Sequence, residues 1–264
     1  MNVELTATKP SEVEADVLAM AASGLGVRKL DALFEGRLAR AAATADPVAV
    51  VPVTREIRAR SVALVRLEGA ETADLQLAAA RAVRAQGGGG TLAWALDDML
   101  PIAMHRQVSP IVEGAVLGAY DPGRWKSSEP KPGVDRFVVC GADEDEERLR
   151  GLATHAALTA RWTNVARELV DGPPNFVTPA SLAERAAALP GVSVEVIDAT
   201  AAGLPALAAV GGASAQPPKL LVLRYEPAGA PERPLLAFVG KAVTFDAGGY
   251  FLKPQSDIVR QKAD

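Results

Sequence analysis

The chain reads Val-Gly-Lys-Ala-Val-Thr-Phe-Asp-Ala-Gly-Gly-Tyr-Phe-Leu-Lys-Pro from Val239 to Pro254, and Gln-Lys-Ala-Asp from Gln261 to Asp264. The apolar run Leu235–Val239 leads into this stretch and is typical of a buried strand. Residues that follow such a strand lie at its carboxyl end, where open α/β sheets place their ligand sites. The stretch therefore predicts a strand of an α/β sheet with a functional site at its end.

Four side chains of this stretch have the chemistry of a divalent-metal site. Asp246 and Asp264 offer the hard oxygen ligands that suit Mg²⁺, Mn²⁺ or Zn²⁺. Lys241 is expected near the exit of the buried strand, where burial and a nearby cation favour the neutral amine, which is able to bind a metal. Lys253 follows the turn at Gly248–Gly249, and its ammonium group is suited to stabilising an oxyanion.

The residue types alone leave a simpler interpretation open. Lysine and aspartate residues around a Gly-Gly turn are also typical of a solvated hairpin that binds nothing. His105 and His155 lie in separate segments and lack the His-x-x-x-His spacing of zinc enzymes. The serines lack the Gly-x-Ser-x-Gly motif of α/β hydrolases. Spacing by itself does not decide between a metal site and a hairpin.

Composition is that of an ordinary globular protein with room for two domains. Of the 264 residues, 49% are hydrophobic and 23% are charged. The formal net charge of −4 argues against a nucleic-acid-binding surface as the main function. Cys140 is the only cysteine, so a disulfide within the chain is excluded and a reducing compartment is favoured. We expect a cytoplasmic protein without a membrane partner, since neither a signal peptide nor a spanning apolar stretch is evident.

Apolar periodicity alternates between strand and helix along the chain, which predicts an α/β fold. Thr178 and Pro179 have the residue types that begin a helix, and Gly87–Gly90 are interpreted as a helix end rather than a phosphate-binding loop. Strands are expected at Ala15–Met20, Ala49–Val53, Ser61–Leu67, Thr91–Trp94, Arg136–Cys140, Val192–Ile197, Lys219–Tyr225 and Leu235–Val239. Helices are expected at Leu30–Ala43, Thr72–Ala85, Val108–Tyr120, Arg148–Leu169, Thr178–Leu189 and Ala201–Leu207.

The stretch from Gly240 to Asp264 resembles the signature of the leucine aminopeptidase family, the cytosol aminopeptidases that use two metal ions. That signature is similar to Gly-Lys-Gly-Val/Ile/Leu-Thr-Phe-Asp-Ser-Gly-Gly, followed by Lys-Pro and by Met-Lys-x-Asp. The spacings between its four functional positions match this chain without a gap. Upstream segments are also similar to the family, namely Glu113–Tyr120, Thr163–Val170, Pro173–Asn175 and Val210–Ser214. The resemblance covers residues 110–264 well and the N-terminal part loosely.

The resemblance implies an activity and a role for each residue of the stretch. Lys241 and Asp264 would bind one metal ion, Asp246 would bridge two, and Lys253 would assist catalysis. The cofactors implied are two divalent ions, Mn²⁺ or Zn²⁺. The reaction implied is metal-dependent hydrolysis of the N-terminal residue from peptides with a free N-terminus. The family also implies a homo-hexamer.

The same resemblance implies the domain organisation. We expect an N-terminal α/β domain with a mixed sheet over residues 1–147 and a linker helix and junction over 148–177. Residues 178–264 are then the first part of a mostly parallel α/β catalytic domain.

Some positions depart from the family pattern. Ala242 and Ala247 replace a usual glycine and serine, while Tyr250-Phe251 and Gln261 alter the expected surroundings of the site, which leaves the preferred N-terminal residue open. The family's later Asn-Thr-Asp-Ala-Glu-Gly-Arg segment is absent from these 264 residues. We therefore expect a chain truncated within the catalytic domain and inactive by itself. The alternative is a non-catalytic relative that acts as a binding or scaffold subunit.

Overall fold

A computed structural model describes residues 1–127, 129, 132–142, 146–199, 201–231 and 236–262. The chain forms two compact units, Met1–Ala166 and Arg167–Asp264. Among the helices so described, none is both long and apolar enough to cross a membrane.

The first unit is built around a six-stranded sheet with helices on both faces. Its strands lie in the order β1-β6-β5-β2-β4-β3, and every neighbouring pair is parallel except β3 and β4. The predicted mixed sheet is therefore confirmed. The elements in chain order are β1 (Asn2–Thr6), β2 (Val17–Ala21), α1 (Leu25–Asp31), α2 (Arg37–Ala43), β3 (Val48–Pro52), β4 (Ser61–Val65), α3 (Thr72–Gln86), β5 (Thr91–Ala95), α4 (Met104–Gly118), β6 (Arg136–Cys140) and α5 (Glu146–Asp171).

Alternate side chains of the central strands enter two separate cores. Trp94 and Phe137 pack on one face against residues of α3, α4 and α5. Leu18 and Val62 pack on the other face with residues of α1 and α2. Burying one such side chain is worth about 1.5–3 kcal/mol. The apolar runs seen in the sequence are continuous because both faces of these strands are covered.

Helices α3 and α4 approach each other at glycines. A Cβ atom built on Gly114 would lie 2.0 Å from the carbonyl oxygen of Gln76, and one on Gly118 would lie 2.6 Å from the Cα of Ala80. Only glycine fits where two helix backbones come this close. The two residues therefore set the packing of these helices on the sheet.

The carboxyl end of β5 is closed by a buried aspartate. Asp97 is 5% exposed, and its Oδ2 accepts a hydrogen bond of 3.0 Å from the backbone N–H of Gly26 at the start of α1. A Cβ on Gly24 would lie 1.9 Å from that same oxygen. In parallel sheets, ligands often bind in a crevice at the carboxyl ends of the strands. Here the Asp97 carboxylate occupies the beginning of α1.

The single helix predicted for Leu30–Ala43 is wrong, because the chain turns between α1 and α2. Glu35 and Gly36 have φ angles of 51° and 80°, which end the first helical stretch. The Asp31 carboxylate then accepts hydrogen bonds of 2.9 and 3.1 Å from the backbone N–H groups of Leu38 and Ala39. This side chain satisfies the donors that begin α2.

The second unit contains α6 (Pro179–Ala187), β7 (Val192–Asp198), α7 (Pro205–Gly211), β8 (Lys219–Tyr225) and α8 (Ile258–Lys262). The helix start at Thr178 is confirmed, since its hydroxyl accepts a 3.1 Å hydrogen bond from the Ser181 N–H. The short helix expected at Ala201–Leu207 lies a few residues later, as α7. Strands β7 and β8 pair antiparallel, so the parallel arrangement expected of consecutive strands does not apply to this pair.

The buried strand predicted for Leu235–Val239 is wrong over the residues that the structure describes. Residues 236–239 form no strand, and the side chains of Leu236, Phe238 and Val239 are 77%, 88% and 101% exposed. Leu235 lies outside the described residues. Within the described part of this unit the sheet has only β7 and β8, so residues 236–239 pair with no neighbouring strand. Without a ladder partner, their backbone groups favour water.

Candidate functional site

One ion pair lies at the centre of the site predicted for residues 240–254. Lys253 Nζ donates a 2.8 Å hydrogen bond to Oδ2 of Asp246. The backbone N–H of Gly248 donates to the other oxygen, Oδ1, also at 2.8 Å. The loop between them is closed by a 3.2 Å hydrogen bond from Lys253 N to the carbonyl of Ala247. Both oxygens of the carboxylate are thereby oriented.

Glycine is favoured at the two positions of the turn for different physical reasons. Gly248 has a φ of +81°, and a Cβ there would lie 2.7 Å from Cγ of Lys253. Gly249 has a φ of +73° and open space around the Cβ position. Both positions favour glycine for its conformational freedom. Only Gly248 is needed to let the lysine side chain return towards Asp246.

The electrostatics of the loop keep Asp246 ionised. The hydrogen bond from Lys253 is the largest influence lowering the pKa of Asp246, followed by the hydrogen bond from the Gly248 N–H. The positive charges of Lys253 and Lys241 lower that pKa further. The carboxylate is therefore a negative centre beside two lysines.

The structure brings two of the four predicted site residues, Asp246 and Lys253, into direct contact, with Lys241 within electrostatic range of Asp246. Lys241 lies close enough to Asp246 for its charge to act on that carboxylate, and Lys253 pairs with it directly. Lys241 is exposed, so the predicted burial at a strand exit is wrong because residues 236–239 form no strand. Asp264, the fourth residue, lies outside the described residues. The pairing of Lys253 with Asp246 was not foreseen, because it depends on the conformation of Gly248 rather than on residue type.

The donor chemistry of Asp246 fits a divalent cation. Each of its oxygens accepts one hydrogen bond, and the side chain is 55% exposed, so further lone pairs face solvent. Carboxylate oxygens of this kind suit Mn²⁺ and Zn²⁺. Among the residues that the structure describes, no group of three or more His, Cys, Asp or Glu side chains is placed to hold a metal ion. Any metal at Asp246 thus depends on the lysine amines, on Asp264 or on other ligands.

Tyr250 and Phe251 follow the turn in an unusual conformation. Their φ angles are 48° and 57°, a left-handed region that residues other than glycine seldom adopt. Both side chains are exposed, at 102% and 60%. The sequence indicated aromatic bulk beside the site but gave no signal for this backbone conformation.

Cys140 has the properties of a core residue. It ends β6, and burial raises the pKa of its thiol to about 12. Its Sγ lies 3.4 Å from the carbonyl oxygen of Trp94. A thiol with so high a pKa is a poor nucleophile.

Comparison with known proteins shows which family this sequence is similar to. Residues 164–264 match the sequence profile described as the catalytic domain of the cytosol aminopeptidase family. A probable cytosol aminopeptidase of Leifsonia xyli is 34% identical over the whole chain and 55% of its own length. The chain is similar to the cytosol aminopeptidase family along its whole length. Another probable member, from a Geobacter species, is 30% identical over the whole chain and 58% of its own length.

Two solved structures are similar to this chain in fold. The bottromycin maturation enzyme BotP, in complex with Mn, is 31% identical, with a TM-score of 0.71 over 95% of this chain and 53% of BotP. A tomato leucine aminopeptidase variant gives a TM-score of 0.76 over 94% of this chain and 55% of its own, at 24% identity, and supports the fold alone. The chain spans about half the length of the curated relatives it matches.

Proposed function

We propose that this chain serves metal-dependent aminopeptidase chemistry, the hydrolysis of the N-terminal residue from peptides with a free N-terminus. The observation that carries the proposal is the contact between Asp246 and Lys253, with Lys241 close to the same carboxylate. These are the residues to which the family resemblance assigns metal binding and catalysis. Similarity to the family supports a peptidase, and the complex of BotP with Mn supports a metal requirement.

Each site residue has a proposed role. Lys241 and Asp264 would hold one divalent ion, Asp246 would be a ligand of two, and Lys253 would be catalytic. The proposed ions are Mn²⁺ or Zn²⁺. When bound, such ions supply Lewis acidity and a water of lowered pKa.

Two contacts of the loop support these proposed roles. The Gly248 N–H donates a hydrogen bond to Oδ1 of Asp246 and so fixes the orientation of the carboxylate. Lys253 Nζ donates to Oδ2 of Asp246 and is thereby held at the end of the same turn. An ammonium group fixed there is placed to stabilise the negative oxygen that forms when water adds to a peptide carbonyl.

The cellular setting proposed for the chain rests on the family resemblance. A homo-hexamer, a cytoplasmic location and peptide substrates are the family's properties.

Recognition of a free amine tests the proposal without requiring turnover. The chain is loaded with Mn²⁺ and its electron paramagnetic resonance spectrum is recorded with L-alaninamide or with N-acetyl-L-alaninamide. Alaninamide is chosen because its small side chain makes little demand on a specificity pocket. We expect alaninamide alone to change the Mn²⁺ spectrum, since only its free amine is able to bind the metal. Equal spectra with the two compounds would overturn the proposal.

A further inference from the structure

A cavity of about 470 Å³ lies in the first unit, between the beginnings of α3, α4 and α5. It belongs to a different unit from the Asp246 loop. The polar and charged groups around it come from all three helices and include Gln76, His105, Arg106, Ser109, Glu113 and Arg148. Its volume lies within the range of about 300–1,000 Å³ usual for small-molecule sites.

The charges of this three-helix cavity are mixed rather than uniformly basic. Arg106 and Arg148 supply two positive groups, and Glu113 supplies a negative one. Glu113 is partly buried, and its Oε2 accepts a 3.1 Å hydrogen bond from Nε2 of Gln76. This bond holds the carboxylate in place on the cavity wall. A ligand that matches these walls carries both a negative and a positive group.

The beginning of α4 adds to the positive side of the cavity. Its first turn contains His105 and Arg106, and in the described structure it has neither an acidic residue nor a side-chain cap. The beginning of α3, by contrast, is closed by the Asp74 carboxylate, which accepts a 2.9 Å hydrogen bond from the Glu71 N–H. A helix N-terminus carries partial positive charge and favours anions. The carboxylate of a ligand is therefore best placed beside Arg106.

We propose that the three-helix cavity binds a small zwitterion of the amino-acid or dipeptide type. The ligand's carboxylate lies beside Arg106 and Arg148, and its ammonium group lies beside Glu113. Ser109 and Gln76 offer a hydroxyl and an amide that fix its orientation. The site is separate from the metal chemistry proposed for the Asp246 loop and does not depend on it.

Binding is measured with glycylglycine in metal-free buffer, by following the backbone amide resonances of the 264-residue chain. Two blocked compounds serve as matched probes, namely N-acetylglycylglycine without the ammonium group and glycylglycinamide without the carboxylate. We expect glycylglycine to shift resonances of residues around the cavity, such as Gln76 and Ser109. Each blocked compound is expected to bind about tenfold more weakly, since each loses one charge-assisted contact.

Variants locate the site. Arg106→Gln and Glu113→Gln are each expected to weaken glycylglycine binding about tenfold. Glu113→Gln keeps an oxygen that is able to accept from Gln76, so the fold is expected to persist. Arg55→Gln, an exposed change outside the cavity lining, is expected to leave binding unchanged.

The outcomes that overturn the proposal are distinct from failure of the metal site. Absence of shifts with glycylglycine, or equal binding by both variants and wild type, would exclude the cavity as a zwitterion site. If the chain binds inorganic phosphate but does not bind glycylglycine, the cavity is a simple anion site, and this result would likewise overturn the proposal. Correct folding of each variant is checked by its amide spectrum.

Discussion

Lys253 Nζ and Asp246 Oδ2 lie 2.8 Å apart, so the residue assigned to catalysis is the counterion of the residue assigned to metal binding. The pair is possible because Gly248 has no Cβ where the lysine side chain passes. A divalent cation bound at Asp246 would compete with the amine of Lys253 for the same carboxylate. The two assignments are thus coupled through a single carboxylate.

The first prediction concerns the source of the low pKa of Asp246. Lys253→Met removes the largest influence, so the pKa of Asp246 is expected to rise towards its ordinary value of 3.8. Lys241→Met removes only a charge effect and is expected to raise that pKa less. The carboxyl ¹³C resonance of Asp246, followed through an acid titration without metal, measures both. A larger rise in the Lys241 variant would contradict the assigned contact.

The second prediction separates the two glycines of the turn. Gly248→Ala and Gly249→Ala share a left-handed backbone, which costs an alanine about 1–2 kcal/mol. Only Gly248→Ala also displaces Lys253, so it alone is expected to raise the pKa of Asp246. The same ¹³C titration tests this difference. Equal titration midpoints in the two variants would show that the lysine side chain has another path to Asp246.

The third prediction tests the contact between α3 and α4. Gly114→Ala places a methyl group against the Gln76 carbonyl and is expected to lower the free energy of unfolding by about 1–3 kcal/mol. Gly151→Ala serves as the control, since Gly151 lies in α5 with open space at its Cβ position. That change is expected to raise the free energy of unfolding by up to about 1 kcal/mol. Urea denaturation measures the free energy of unfolding of both variants. A loss of stability in the Gly151 control alone would contradict the close contact between α3 and α4 at Gly114.

The fourth prediction is a pH dependence in the first unit. Arg136 donates a 2.8 Å hydrogen bond from Nε to Glu4, and this bond lowers the pKa of Glu4. A lowered pKa stabilises the folded chain above the ordinary glutamate value of 4.5, and this stabilisation is lost as pH falls through the folded value. Because both side chains are partly exposed, the contribution is expected to be only about 0.2–1 kcal/mol at neutral pH.

The test of this pair uses Glu4→Gln, with Glu12→Gln as an exposed control outside the strands. Urea denaturation is carried out at pH 7 and at pH 3. Glu4→Gln is expected to lower the free energy of unfolding at pH 7 and to have a smaller effect at pH 3. A loss that is equal at the two pH values would mean that the ion pair is not its cause.

Local patterns in the sequence predict much of the first unit. Strand β4 and helix α3 follow from apolar spacing, and the end of α3 follows from Gly87, whose φ is 53°. The turn between α1 and α2 does not follow from spacing, because it depends on where the Asp31 side chain hydrogen-bonds. Sequence periodicity also carries no information on strand direction, which is why the antiparallel pairing of β7 and β8 was not expected.

The candidate site is less predictable than the sheet. Residue types and spacing select Lys241, Asp246 and Lys253, and the structure brings Asp246 and Lys253 into direct contact, with Lys241 within electrostatic range of Asp246. The environment of Lys241 does not follow from the apolar run before it, since a strand requires a hydrogen-bonding neighbour as well as apolar side chains. The positive φ angles of Tyr250 and Phe251 depend on the whole turn and have no signal in residue type.

The most direct test of the central claim is the affinity of the chain for Mn²⁺, measured from the loss of the free Mn²⁺ signal in electron paramagnetic resonance. Asp246→Asn is compared with Asp257→Asn, which changes another exposed aspartate of the same segment. If Asp246 is a metal ligand, its variant loses affinity at least about tenfold while Asp257→Asn binds as wild type does. Equal affinities of wild type and Asp246→Asn would contradict the claim that this loop is a metal site.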